Sequence, residues 1–243
     1  MKYLYLAFAI FSYIVAFFSQ IWFIFYLTDI DFIDTIYSKQ QLPTSTALLI
    51  DFLLITLFAL QHSIMARESF KKRILQIIPE PIERAVYTLA SGITFLLICY
   101  FFQPIDGMVW SFEGGFLEIL LWIGFAFGWG LSLCATFIID HFELFGLKQP
   151  YQFLKNRTKL ELEFREKSLY KIVRHPIQLG VILGLWLTPK MNFGHLFLSL
   201  LFTIYIFIGL YFEERSLARE FGQTYLDYKK RVGMLFPKFG KSE

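Results

Sequence analysis

The residues best suited to chemistry stand at the two ends of one apolar stretch. Arg174-His175-Pro176-Ile-Gln-Leu-Gly180 opens it, and Glu213-Glu214-Arg215 closes it ahead of an aromatic, basic tail, Phe221-Gly222-Gln-Thr-Tyr225-Leu-Asp-Tyr228-Lys-Lys-Arg231. A proline after a histidine and before an apolar run marks the first residue of a helix, with the histidine near its cap. The free amide groups of such a helix start form a partly positive pocket for a carboxylate or phosphate, which Arg174 would strengthen. The plainer reading is that Arg174 and His175 only anchor a span at the interface. Glu213 and Glu214 weigh against it. Carboxylates at the edge of hydrocarbon are costly unless they pair or hold a cation. One is expected to pair with Arg174 or Arg215, leaving the other for ribose hydroxyls, an amine or a cationic sulfur. A ligand carrying an acid, an amine and a cation together would satisfy the whole set.

The elements that position these groups are membrane helices. Of the 243 residues, 56% are hydrophobic and 20% aromatic, with a mean hydropathy of +0.52, which excludes an ordinary soluble domain. Spans are expected at about 3–27, 47–65, 84–102, 116–139, 177–189 and 194–212, judged against the roughly 20 residues that cross a hydrocarbon core of about 30 Å. The first lacks a small-residue cleavage site and reads as a retained span. The fifth is too short to cross alone. With the sixth it should form a tight hairpin through Thr188-Pro189-Lys190-Met191-Asn192, starting below the membrane surface near His175. The expected fold is therefore all-α: a polytopic bundle of five to six spans, the last two a tight hairpin, with a cytoplasmic helical tail. It forms one membrane domain over 1–243, with the first four spans in 1–139 and the cytoplasmic segment, hairpin and tail in 140–243.

Charge sets the orientation. Lys2, five basic residues in 66–84, eight in 140–176 and seven after Glu213 face only Lys39 and Lys190 on the opposite side. The excess of Lys and Arg marks the cytoplasm, so both termini are placed there, while Asp29, Asp31, Asp34, Asp106 and Glu113 lie outside. Gly124 and Gly128 stand four apart, as do Gly180 and Gly184, a spacing that lets helices approach closely in lipid. Gly180 also leaves room for a ligand beside the backbone. Residues 157–170 alternate charge with apolar side chains and suit the membrane interface. Leu217, Phe221, Tyr225, Tyr228 and Val232 form a stripe on a helical tail, either a lid on the membrane domain or a surface anchor. Cys99 and Cys134 fall inside spans, where a thiol acts as a small hydrophobe, and imply no disulfide framework.

The order Arg-His-Pro-x3-Gly, apolar hairpin, Glu-Glu-Arg and Phe-Gly-x2-Tyr-x2-Tyr-Lys-Lys-Arg resembles the membrane methyltransferases that act on isoprenylcysteine and phospholipids. Upstream, Gln61-His62-Ser63-Ile-Met65-Ala66-Arg67, Pro79-Glu-Pro81-Ile-Glu83-Arg84 and Asp140-His141-Phe-Glu143-Leu-Phe-Gly146-Leu narrow this to a resemblance to bacterial methanethiol S-methyltransferases. The resemblance implies S-adenosylmethionine as cosubstrate, held between the last hairpin and the tail, and methyl transfer to methanethiol giving dimethyl sulfide. Arg174, His175, Pro176, Gly180, Glu213 and Glu214 then form the cofactor site, and Arg231 enters the reaction chamber. Gln178 stands where many members carry Tyr, and Gly233 where Pro is common.

Such a reaction asks mainly for positioning and exclusion of water, plus help in removing the thiol proton. His62, Asp140 and His141, at the expected cytoplasmic ends of spans two and four, are the candidates for that help; interfacial hydrogen bonding is the alternative for each histidine alone. The expected partners are a small thiol and the lipid bilayer, not nucleic acid, in what would be a bacterial inner membrane, and no metal-ligating set is read. Gln61-His62-Ser63 is also similar to NnrU-like proteins and carotene isomerases, which implies His62 and His141 as haem ligands. A transporter would show symmetry between halves and polar groups at mid-membrane, whereas here the polar groups cluster on one side.

Overall fold

The computed structural model describes residues 1–30, 33–157, 164 and 166–238. Its long helices are α1 (Lys2–Tyr26), α2 (Thr44–Ala66), α4 (Glu83–Phe101), α5 (Phe116–Ile139) and α9 (Phe193–Phe221). Between them lie the short α3 (Glu68–Ile74), α6 (His141–Leu144), α7 (Lys148–Leu154) and α8 (Pro176–Trp186), and α10 (Gln223–Arg231) follows. Two short 3-10 turns, Glu80–Ile82 and Ser168–Lys171, and two short strands, β1 (Met108–Ser111) and β2 (Lys190–Asn192), complete the described elements. The five long helices are each long and apolar enough to cross a membrane. They expose large apolar side chains along their length, among them Phe11, Ile14, Phe52, Leu53, Ile119 and Ile204. Such a surface belongs in lipid, where only a helix closes all its own backbone hydrogen bonds. The chain is a multi-pass α-helical membrane protein.

Sequence signals mark the helix boundaries. Gly114 and Gly115, at φ +67° and +149°, turn the chain into α5, and the Glu118 carboxylate accepts the Gly114 amide at 2.6 Å. At 11 residues, α8 spans about 16 Å, roughly half the hydrocarbon, as its apolar length predicts. The sixth span differs from expectation: α9 runs 29 residues to Phe221, about 44 Å, and carries Glu213 and Glu214 inside the helix instead of at its end. Leu217, Ala218 and Arg219 are good helix formers, so the polar Glu-Glu-Arg step does not stop it. It stops at Gly222, where φ is +56°.

The described residues pack as two compact units, the first drawn from Met1–Ser111, Phe142–Leu160 and Lys190–Leu201. In it α4 lies between α1 and α2. A Cβ on Gly92 would meet the Ala16 backbone at 2.8 Å, so α1 and α4 touch main chain to main chain. At one end β1 pairs antiparallel with β2, a feature absent from the sequence reading, with Trp110 opposite Met191 and Ser111 opposite Lys190. Asn192 donates to the Ile36 carbonyl at 2.7 Å and accepts the His195 amide at 2.8 Å. His195 is fully buried, its Nδ1 2.8 Å from the Tyr37 hydroxyl, which also bonds the Lys190 carbonyl.

The second unit is drawn from Phe112–His141, Glu161–Pro189 and Phe202–Glu243. The two glycine pairs meet here. A Cβ on Gly128 would lie 2.5 Å from the Gly184 nitrogen, and one on Gly180 would lie 2.5 Å from the Gly128 carbonyl and the Ser132 nitrogen. The space at Gly180 is therefore filled by α5. Trp186 donates to Thr203 at 2.9 Å, joining the end of α8 to α9. The tail stripe is divided over two helices: Tyr225, Tyr228 and Val232 on and after α10 cluster with Phe164, Leu217, Ala218 and Phe221. Of the segment 157–170 read as interfacial, residues 158–163 and 165 lie outside the described residues.

Candidate active site

The second unit places His175 at the N-cap of α8 and Pro176 at its first position, as the sequence predicts. The chain before α8 is stitched to the tail: the Arg174 and His175 amides donate to the Gly233 and Met234 carbonyls at 2.8 and 3.1 Å. The Tyr228 hydroxyl donates to the Tyr170 carbonyl at 2.5 Å, and the Tyr170 hydroxyl to the Ala135 carbonyl of α5 at 3.4 Å. Tyr170 thus ties the end of α5 to the tail. Burial raises both phenols, that of Tyr228 to about 12, so they stay protonated donors.

Glu214 is the hub. Its Oε1 accepts Arg174 Nε at 2.8 Å and Nη2 at 2.5 Å and lies 3.2 Å from His175 Nε2; its Oε2 holds the Lys229 ammonium at 2.6 Å. The Arg174 and Glu214 side chains are only 6% and 8% exposed, whereas Lys229 is 48% exposed. Arg174 also donates to the Lys229 and Val232 carbonyls at the end of α10, where a cation suits the helix dipole. This corrects the expectation that Arg174 reinforces an anion pocket at the α8 start: its fork is already filled by a carboxylate and two carbonyls. Arg215 sits over the Tyr211 ring at 4.3 Å.

Glu213 faces differently, because neighbours on a helix point about 100° apart. Its Oε2 is 3.4 Å from Gln178 Nε2 and 3.9 Å from His175 Nδ1, and 48% of its side chain is exposed. His175 is pulled in two directions: burial lowers its pKa, and the bond to Glu214 opposes that. A groove of about 770 Å³ opens beside Glu214 and Arg174, walled by Gln223, Leu226, Lys229 and Lys230. Next to the same ion pair, the buried Tyr225 hydroxyl makes no hydrogen bond of good geometry among the described residues. Arg231 stands on the outer side of α10, paired with Glu166 at 2.7 Å.

Asp140 closes α5 with φ +143°, a backbone conformation that L residues rarely adopt. Such strain persists only where surrounding structure holds it. His141 follows, 2% exposed, its ring stacked parallel on Phe137 at 4.1 Å. His141 Nδ1 is 2.7 Å from the Thr136 hydroxyl, which lies 2.6 Å from the Leu133 carbonyl. Burial lowers the imidazole pKa and Asp140 partly opposes it, so the ring is neutral near pH 7. His62 belongs to the first unit, in a neutral network: Nε2 is 2.8 Å from the Tyr87 hydroxyl, Nδ1 is 3.2 Å from Ser91, and Phe58 stacks on the ring.

The second unit therefore brings together Arg174, His175, Pro176, Gly180, Glu213 and Glu214 around one helix start, and it also holds Asp140, His141 and Arg231. Sequence reasoning missed Lys229, Tyr225 and Thr136 as members of the site. Lys229 reads as part of a basic run, Tyr225 as a stripe residue, and Thr136 as one more small residue in an apolar span.

Fold and cluster define a polytopic helical membrane protein with an ionic site at the start of a short apolar helix. Residues 49–227 match the family described as NnrU protein. The chain is 48% identical over 196 residues to the methanethiol S-methyltransferase of Pseudomonas deceptionensis, covering 81% of this chain and 75% of that protein. It is 40% identical over 237 residues to methanethiol S-methyltransferase 1 of Bradyrhizobium diazoefficiens, covering 97% and 83% of the two chains. With the methanethiol S-methyltransferase of Crocosphaera subtropica it shares 40% over 204 residues, 84% and 80% of the two chains. No solved structure matches. At this similarity over most of its length, the chain belongs to the methanethiol S-methyltransferase family.

Proposed function

We propose that the protein transfers a methyl group from S-adenosylmethionine to methanethiol, giving dimethyl sulfide, in a bacterial inner membrane with both termini cytoplasmic. The observation that carries this reading is the 48% identity to a methanethiol S-methyltransferase over four-fifths of the chain. The site supports it. The half-exposed Glu213 suits an ammonium or a sulfonium, and the α8 amide start beside His175 suits a carboxylate. The buried Tyr225 hydroxyl adds a polar group, and the groove volume lies within the about 300–1,000 Å³ of small-molecule sites. When bound, S-adenosylmethionine supplies an electrophilic methyl group.

The chain's own residues do the rest. Glu213, Glu214 and His175 hold and orient, and the docked α10 excludes water. His141 takes the thiol proton: it is neutral, buried and held by α5. The packing of Gly128 and Ser132 on Gly180, and of Tyr170 on Ala135, sets the His141 end of α5 alongside the chain that leads into α8. A small apolar thiol reaches such a site through lipid.

Purified protein given labelled S-adenosylmethionine and a choice of methanethiol, hydrogen sulfide, isoprenylcysteine or phosphatidylethanolamine tests the reading. Labelled dimethyl sulfide in the headspace is expected. Label in prenylcysteine or lipid, with none in the headspace, would reassign the acceptor.

A further inference from the structure

The Thr136 hydroxyl has one proton and two neighbours. One is the Leu133 carbonyl at 2.6 Å, which can only accept; the other is His141 Nδ1 at 2.7 Å. The proton must therefore point to the carbonyl, and toward the ring Thr136 can only accept. His141 Nδ1 then carries the ring hydrogen, and Nε2 is left with the lone pair. Which nitrogen of an imidazole is protonated is set by the hydrogen bond that the other ring atom makes. The same side chain also fixes the ring plane, because Thr136 lies in the last turn of α5 and the imidazole of His141 is stacked on Phe137, its plane 3° from parallel. A β-branched residue in a helix has few χ1 choices, and the bond back to the carbonyl three residues earlier selects one of them.

From this geometry we infer that Thr136 is a positioning residue for the methyl transfer, holding His141 as the Nδ1–H tautomer so that Nε2 receives the acceptor's proton. The S–H bond of the thiol breaks, an N–H bond forms at Nε2, and the electron pair stays on sulfur as the nucleophile. Thr136 itself touches neither proton nor sulfur. Asp140, in its left-handed conformation, sets the direction in which His141 leaves α5, so the backbone aims the ring and the hydroxyl chooses its tautomer. The inference rests on the thiol methyl transfer proposed above, and the two can fail separately.

The test is nitrogen NMR of ¹⁵N-histidine-labelled protein in detergent without donor, with the signals of His141 identified by their loss in His141→Gln. Nδ1 is expected in the protonated, pyrrole-like range and Nε2 in the unprotonated, pyridine-like range. Thr136→Val should redistribute the hydrogen between the two nitrogens, and Thr136→Ser should keep the wild-type pattern. In parallel, Thr136→Val should lower kcat with methanethiol by about tenfold, part of the roughly 10²–10⁴-fold contributed by general-base help, and Thr136→Ser should restore it. A wild-type His141 protonated at Nε2, or Thr136→Val with an unchanged tautomer, overturns the inference whatever the activity. Full activity in His141→Gln instead overturns the assignment of the base, and with it the role of Thr136, while leaving methyl transfer standing.

Discussion

Two histidines are buried almost equally, His195 in the first unit and His175 in the second, and their surroundings differ in kind. His195 sits among uncharged groups, with Tyr37, Asn192 and backbone carbonyls in one hydrogen-bonded network. His175 touches a carboxylate that also holds a buried arginine and a half-exposed lysine, next to an open groove. Burial of a histidine is therefore no guide to its role. Hydroxyl, amide and carbonyl groups satisfy one another; an ionic cluster with one half-exposed member and adjoining volume retains capacity for a charged ligand.

The contrast breaks most sharply at Glu214. Replacing it with Ala strands Arg174 as an uncompensated buried charge, which costs about 3–5 kcal/mol. Denaturant unfolding in detergent should show that loss, and calorimetry with S-adenosylmethionine should show no binding; a variant of wild-type stability would mean that the ion pair is not the hub. On the neutral side, Tyr37→Phe removes the hydroxyl shared by His195 and the Lys190 carbonyl. It should destabilise by about 1–3 kcal/mol while kcat stays at the wild-type value. A fall in kcat at unchanged stability would give the His195 network a functional role.

The smallest effect is on pH dependence. Burial lowers the pKa of both His141 and His175 below the unfolded value of about 6.5, so below that pH the unfolded chain binds more protons than the folded one. Stability should be level above about pH 6.5 in respect of these groups and fall as pH drops toward their folded values. His141→Asn should flatten part of that slope in denaturant titrations at pH 5 to 7; an identical slope would show that the His141 pKa is not displaced.

These features were legible in the sequence to different degrees. The spans, the cap at His175-Pro176 and the close helix approach at the glycine pairs follow from apolar length, proline position and small-residue spacing, which are local properties; that the two pairs meet each other does not. The sequence leaves the partner of Arg174 open between Glu213 and Glu214, since adjacent helix residues diverge by about 100° and only the rotation of α9 decides between them. Glu213-Glu214-Arg215 looks like an interface and so suggests too early an end to α9, although nothing before Gly222 breaks the helix. The β1–β2 pair carries too short a pattern to signal strands. Thr136 gives no signal, because its role exists only once His141 turns back onto it.

At Gly128 and Gly180 the contact of α5 with α8 is largely backbone on backbone, while Gly184 makes room for the Trp129 ring. It acts as a spacer of fixed thickness. His141 follows the end of one helix and His175 caps the start of the other, so on the proposed reading this spacer would set the distance between the proton acceptor and the group that holds the donor. Clearance matters steeply, since a misplacement of about 1 Å can cost roughly a hundredfold in rate. The two glycine pairs therefore work as a machining tolerance: a single methyl group added at Gly128 or Gly180 would leave every chemical group present and hold them at the wrong distance.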